Sequence, residues 1–421
     1  MENIGASFFC VILPLQNYSI RFMAKKLFYI ILLYIVALPV KAQIAFSDSL
    51  QISLVTCSEG PDAYERFGHS AIRVLDLKKS DMDLVFHWGV FDFNAPYFVW
   101  RFVKGETDYQ LGATYTESFV GDYRRRGLSM TEQILNLDQS EIKTLFDAIW
   151  ENYQPENRVY RYSFFFDNCA TRPFNRINSA TDNSIKFDTT WVKPITLRDM
   201  IQEKTNTNNW LDFGISLAVA NRADRQAYFK EQMFLPGYLA EAYNNATIGG
   251  KPLVKEERTI LEMRPEIREK IEAQPFITSP KIVCWAIFIL FLILWRFAIL
   301  GRKWASFSIR SFESIFLFVT GVTGAILYFL NFISLHPAVD HNVNCLWLLP
   351  TNIIFAVLIW VKSAEKVNRI YFFIIFAGII AYAIINACVR QYVNPAFGPL
   401  LFTMICICAH QNQRLLYWRK K

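Results

Sequence analysis

A chain of 421 residues is too long for one small domain, and 53% hydrophobic content with 16% aromatics is rich for a soluble protein. Two or three units with membrane segments are expected. The formal charge of +7 is not read as a nucleic-acid signature, because much of it flanks apolar runs, where basic residues set orientation in a membrane. The chain holds no zinc-type Cys/His spacing, Walker loop, internal repeat or low-complexity tract, so neither a metal nor an organic cofactor is expected.

At the N-terminus, Met23-Ala24-Lys25-Lys26, the apolar run Leu27–Val36 and Val40-Lys41-Ala42 before Gln43 follow the order of an export signal: basic start, short apolar core, cleavage site. Residues 1–42 are therefore expected to be a signal peptide, with Met1–Phe22 as an upstream extension. An uncleaved anchor is the alternative.

Residues 43–278 are mixed polar and apolar and read as an α+β extracytoplasmic domain. Gln51–Cys57, Ser70–Leu77 and Asp83–Val90 have strand character, and the turn at Lys78–Asp83 makes the last two a hairpin. Such a hairpin sets position 69 opposite a residue near 89 to 91. Asp138–Tyr153 reads as a helix opened by Asp138 and Glu141, with Ile142, Leu145, Phe146 and Ile149 on one face. Val159–Phe166 has strand composition, and helices are expected near Arg198–Gln202 and Arg222–Met233.

The stretch FFFDNCATRP, Phe164–Pro173, runs from an apolar segment into two capping residues and a thiol. Asp167 or Asn168 can cap a helix over roughly Cys169–Ile177. A thiol in that first turn feels the positive end of the helix dipole, which favours thiolate, and nearby N–H groups could hold an oxyanion. The alternative is a buried, inert cysteine. Of eight cysteines only Cys57 and Cys169 lie in this domain. They form either a disulfide or a pair with one working thiol, and spacing does not decide between the two. A nucleophilic thiol needs a base, and the domain has only His69 and His87. His69, after Gly68 at the mouth of a strand, is assigned as general base and His87 as its orienter. Arg172, one turn beyond the thiol, could bind a headgroup or pair with a carboxylate. Glu65, Arg73 and Asp92 are near the histidines in sequence. Arg124-Arg125-Arg126 reads as a solvated charge cluster, with lipid phosphate as the less favoured partner.

Residues 279–421 change character. Five apolar stretches, about 282–300, 315–333, 346–361, 370–388 and 397–409, are expected to form an all-α, five-helix transmembrane domain. Arg302, Lys303 and Arg310 follow the first, Lys362, Lys366 and Arg369 the third, and Arg414, Arg419, Lys420 and Lys421 the fifth. The positive-inside rule then puts the soluble half outside, in accord with an export signal. The loop Ser334–Asn344 faces that same side; its His336, Asp340 and His341 could contact substrate or the domain, and a solvated loop is the favoured reading.

The segments FGHSAIRV (67–74), HWGVFDF (87–93), YRYSFFFDNCATRPFNRI (160–177) and ADRQAYFKEQMFLPGYL (223–239) resemble the Lnb N-terminal periplasmic domain family of bacterial envelope proteins. An export signal and several C-terminal spans also match that architecture. The order of His before Cys is that of a permuted papain-like fold, similar to lecithin:retinol acyltransferases. By position, Cys169 matches the family cysteine and His69 the family histidine. Where this chain has His87, relatives often have Asn. The resemblance implies a thiol acyltransferase in the bacterial inner membrane, with its catalytic domain on the periplasmic side. It would move a fatty acyl chain from phospholipid, through a Cys169 thioester, to the N-terminal amine of a diacylglyceryl lipoprotein. Catalysis would rest on Cys169, His69 and His87, and substrate binding on Asn168 and Arg172. Nucleic acid is not an expected partner. The alternatives are a cysteine peptidase or amidase acting on peptidoglycan, and a non-catalytic envelope binding module.

Overall fold

A computed structural model describes residues 26–27, 49–79, 82–190, 192–206, 209–273 and 276–418, with side chains to residue 413. The expected signal peptide falls almost wholly outside these residues. Asp48–Lys421 forms one compact unit containing a sheet-based part and a helical part.

In chain order the sheet-based part runs β1 (Leu50–Cys57), β2 (His69–Asp76), β3 (Asp83–Val90), α1 (Phe98–Lys104), β4 (Asp108–Tyr115), α2 (Thr116–Arg126), β5 (Met130–Leu135), α3 (Gln139–Tyr153), β6 (Val159–Arg161) and α4 (Thr171–Ala180). The two-residue strand β7 (Lys186–Phe187), α5 (Leu197–Thr205), α6 (Trp210–Ala218), α7 (Phe229–Gln232) and α8 (Pro236–Asn244) follow. They lead to β8 (Ala246–Ile248), β9 (Lys251–Pro252), β10 (Val254–Leu261) and α9 (Pro265–Glu272). Seven strands form one sheet in the order β10-β5-β1-β2-β3-β4-β6, and every pairing is antiparallel.

The β2–β3 hairpin pairs Ile72 with Phe86 and Leu75 with Asp83. Extended outward, that register sets His69 against Gly89, as the sequence predicts. Because side chains alternate along a strand, His69 and His87 share one face of the sheet. Val55, Cys57, Ala71 and Val85 line the same face under Phe119 and Tyr123 of α2. The predicted helix at 138–153 also forms. Asp138 caps it, accepting from the Ser140 and Glu141 amides while the Glu141 carboxylate accepts from Asp138 N–H. Such a box is worth about 1 kcal/mol. Asn152 on this helix accepts from the indole of fully buried Trp88 at 3.0 Å.

Two expectations fail here. The strand expected over 159–166 ends at Arg161, and the chain closes a turn in which Ser163 N–H donates to Asp167 O at 3.0 Å. The Phe164 and Phe165 rings pack on Phe234 instead of entering the sheet. The helix expected over 222–233 is a short 3-10 turn, Asn221–Asp224, followed by the four-residue α7, because Asp224 is drawn out to pair with buried Arg198.

The helical part holds α10 (Pro280–Ile299), α11 (Lys303–Phe332), α12 (Asn352–Leu358), α13 (Glu365–Val389) and α14 (Phe397–Trp418). Among the described residues α10, α11 and α13 are long and apolar enough to cross a membrane. The stretch 346–361 differs from the expected single span. Pro350 interrupts it, leaving only the seven-residue α12, and its buried Asn352 bonds Thr320 of α11 (3.1 Å) and Tyr371 of α13 (2.6 Å). Gly321 and Gly324 of α11 let the backbone at Ile353 and Leu348 approach so closely that a methyl group would not fit. Glu313 of α11 is fully buried and is met by His410 (2.6 Å) and by Gln411 of α14.

Candidate active site

Cys169 lies one residue ahead of the N-cap of α4, not inside the first turn. Asn168 does the local work. Its side-chain oxygen accepts from the Ala170 and Thr171 amides, both at 2.9 Å, and its amide nitrogen donates to Phe164 O (2.7 Å) and Phe234 O (2.8 Å). All four hydrogen-bonding positions of the carboxamide are thereby used inside the protein, and the residue is buried. That leaves it no group for a substrate, contrary to the expected binding role; it holds the thiol-bearing turn in place. Arg172, the other expected substrate contact, pairs with Asp167 through two hydrogen bonds of 2.6 and 2.7 Å and lies 3.6 Å above the Tyr160 ring. Asp167 is the carboxylate foreseen as a partner for it.

The half-buried Cys169 faces the mouth of the β2–β3 hairpin. The backbone amides of Ser70 and of Cys169 itself lie close enough to the sulfur to favour its ionised form. Across the gap is Gly89, where a β-carbon would meet Cys169 Cβ at 3.8 Å and His69 Cε1 at 3.9 Å. Cys169 and His69 therefore converge on one small space. His69 Nε2 lies 3.2 Å from His87 Nδ1. Two glycines make the arrangement possible. Gly68 has φ +75° and sits so near the Cys57 carbonyl that a β-carbon would be 2.7 Å from its oxygen. Gly89 has φ +101° at a bulge between Trp88 and Val90. Both conformations are costly for any residue with a β-carbon, and the bulge turns the strand end toward Cys169.

Electrostatically the site is neutral at rest. Burial pushes the Cys169 thiol up to about 11, against the lowering effect of the two amides. Burial, with His87 and the charge of Arg126 behind it, lowers the His69 pKa to about 3, and burial lowers that of His87 to about 4. The Phe119 ring, 5.3 Å from the His87 ring, supplies part of that dry wall. The sequence-based expectation of a thiolate held by a helix dipole is thus reversed: desolvation outweighs the dipole when the cysteine stands outside the helix. Cys57 pairs with His69 across β1 and β2, is buried, and has its pKa raised to about 12. Cys57 and Cys169 are both free thiols, not a disulfide.

Tyr160 and Tyr162 were not singled out by the sequence. Both lie within electrostatic reach of Cys169, and the buried Tyr160 hydroxyl has no hydrogen-bond partner among the described residues. The signal was present in the alternation of Tyr160, Tyr162 and Phe164 just before the thiol. The other residues near the histidines in sequence are occupied elsewhere. Arg73 pairs with Asp83 and Glu132, Glu65 pairs with Arg126, and Asp92 closes a turn on Asn94 N–H. In the arginine cluster Arg125 and Arg126 pair with Asp122, and Arg124 is exposed. His336 contacts the sheet-based part through the Phe102 carbonyl at 2.7 Å, while His341 is exposed and pairs with Asp340.

No curated protein and no solved structure matches the chain. Two family models do match it: the Lnb N-terminal periplasmic domain over residues 41–203 and the Lnb transmembrane domain over residues 271–418. With its α/β sheet domain followed by apolar spanning helices, the chain is a membrane protein of the Lnb family, with a periplasmic N-terminal domain and a C-terminal transmembrane domain.

Proposed function

We propose that this protein is a thiol acyltransferase of the bacterial inner membrane, built on a permuted papain-like domain, and that it moves a fatty acyl chain from phospholipid to the N-terminal amine of a diacylglyceryl lipoprotein. The observation that carries the reading is the convergence of Cys169 and His69 on Gly89.

In the first half-reaction the Cys169 sulfur attacks an ester carbonyl of the phospholipid as its proton passes to His69. With Nε2 of His69 facing His87, the proton would pass through Nδ1, and His87 is the positioning residue. The Ser70 and Cys169 amides are suited to receive the developing oxyanion. Collapse breaks the ester C–O bond, and His69 returns the proton to the departing lysophospholipid oxygen. In the second half-reaction the lipoprotein amine attacks the thioester. A C–N bond forms, the C–S bond breaks, and the proton lost by the amine returns to Cys169 by way of His69. Neutral partners suit this sequence, since an uncharged imidazole can accept the proton and a water-poor site protects the thioester.

Intact-mass analysis of the protein extracted from its membrane tests the reading. A fatty-acyl mass lost on hydroxylamine treatment and absent from Cys169→Ser is the expected result. A Cys169→Ser protein that still supports full lipoprotein N-acylation overturns it. Turnover of labelled muropeptide with none of labelled phospholipid moves the reading to an amidase.

A further inference from the structure

Helix α1, Phe98–Lys104, reads FVWRFVK and buries none of its side chains. Val99 is 72% exposed and Tyr97, just before it, 81%; Phe93, Trp100 and Phe102 are exposed as well. The rings form one patch, with Phe91 4.5 Å from Phe93 and 5.4 Å from Phe98. Seven residues are too few to hold a helix alone in water, and contiguous exposed apolar surface of this kind marks an interaction site.

Its position says what covers it. The loop that follows membrane-spanning α11 caps the last carbonyls of α1: Ser334 Oγ donates to Val103 O (2.8 Å), Leu335 N–H to Lys104 O (2.9 Å), and His336 Nε2 to Phe102 O (2.7 Å). Trp100 lies against Phe329, in the last turn of α11, at 4.8 Å. Phe332, Ile333 and Leu335, where α11 ends, are exposed apolar residues too. The α1 patch is therefore continuous with the lipid-facing surface of α11 and sits at the depth where that helix leaves the hydrocarbon. Trp and Tyr prefer that depth. The two cations of α1 are matched there, Arg101 by Asp108 at 2.9 Å and Lys104 by Glu106 at 2.6 Å.

The patch also leads to Cys169. Phe98 contacts Phe91, Phe91 contacts Tyr109 (5.0 Å), and Tyr109 stacks on Tyr162 (4.3 Å), which neighbours the thiol. Phe91 is only two residues beyond Gly89. We infer that α1 with its Phe91–Tyr97 lead-in docks into the periplasmic leaflet of the bilayer and forms the lipid-facing mouth of the Cys169 site. The docking stands on its own; the role as a mouth for acyl donors rests on the acyltransferase reading.

The test is photo-crosslinking of the full chain in nanodiscs of phosphatidylethanolamine and phosphatidylglycerol, with a benzophenone amino acid placed at Tyr97, Val99, Phe318 or Glu256. Phe318 is an exposed residue of spanning α11, and Glu256 is on β10, at the opposite edge of the sheet from β4 and β6. Phospholipid adducts at 97 and 99 at least tenfold above those at 256, and comparable to those at 318, are expected. Adducts at 97 and 99 no more abundant than at 256, with 318 still labelled, overturn the proposal. Crosslinking requires no turnover, so failure of the docking and failure of the acyltransferase reading are separately visible.

Discussion

Alkylation of Cys169 by iodoacetamide as a function of pH tests the resting electrostatics directly. A free cysteine with a pKa near 8.5 is about 3% thiolate at pH 7. With the Cys169 thiol pushed up to about 11, the thiolate fraction at pH 7 is about one in ten thousand. Its alkylation should therefore run roughly 300-fold slower than that of a free thiol and rise about tenfold per pH unit between 7 and 10. The rate is read by peptide mass spectrometry on the full chain in nanodiscs, with buried Cys57 as an internal residue that stays unlabelled. Fast labelling of Cys169 at pH 7, flat from pH 6 to 9, would mean a thiolate–imidazolium pair and would refute the claim that desolvation dominates. The same measurement separates two roles of His69. His69→Ala should leave alkylation at pH 10 within a few-fold of the parent, since the sulfur is then ionised by hydroxide. Formation of the acyl adduct should fall by about 10²–10⁴-fold, the usual contribution of a general base.

Gly89→Ala places a β-carbon at φ +101° without a direct clash; a loss of about 1–2 kcal/mol from backbone strain is expected in a denaturant melt, together with loss of the Cys169 acyl adduct. Arg198→Met leaves Asp224 without its buried partner, and a loss of about 3–5 kcal/mol should appear as a lowered melting temperature in detergent. The histidines make an acid-side prediction. Their folded pKa values, about 3 for His69 and about 4 for His87, lie below the unfolded value of 6.5. Their contribution is complete above pH 6.5 and is lost as pH falls toward 4 and then 3, at up to about 1.4 kcal/mol per pH unit for each group. Replacing both with Gln should flatten that part of the pH–stability curve.

The three strands around the site are legible in the sequence from their composition and from the turn between the last two, while the register that puts both histidines on one face is settled only by the observed pairing. Residue spacing brings His69 and His87 within a few positions along the hairpin, and the observed register brings their rings into contact. The capping box at Asp138 is a purely local signal and is equally readable. What failed depended on distant partners. Asp224 leaves its expected helix to meet Arg198, 26 residues back. Phe164 and Phe165 leave their expected strand for Phe234, a contact some 70 positions away. Asn168, expected to bind substrate, is instead taken up by four hydrogen bonds, one of them to that same remote segment. The sign of the thiol pKa shift was misread for a related reason. Helix dipole and capping are visible locally, whereas desolvation is produced by everything packed around the site.

The junction between the two halves bears on how the site meets its substrate. A domain on a flexible tether would sample many heights above the bilayer, and tethering alone would raise encounter frequency without fixing orientation. This junction is built from buried polar contacts instead. Asn342 of the membrane part donates to the carbonyls of Leu217 (2.8 Å) and Ala218 (3.1 Å) of α6 and accepts from Gln391. Asn394 donates to Asp212 of α6 at 2.8 Å, and Tyr392 N–H to Asp224 at 3.2 Å. Breaking any of these leaves a desolvated group unpaired, at a cost of about 1–3 kcal/mol each, so the set holds the domain in one orientation. The carbonyls of α1 capped by Ser334, Leu335 and His336 extend the same contact. A fixed height and tilt of this kind is what the proposed acyl transfer requires, since its ester donor would lie at a set depth in the membrane. A freely diffusing substrate would place no such demand on the junction.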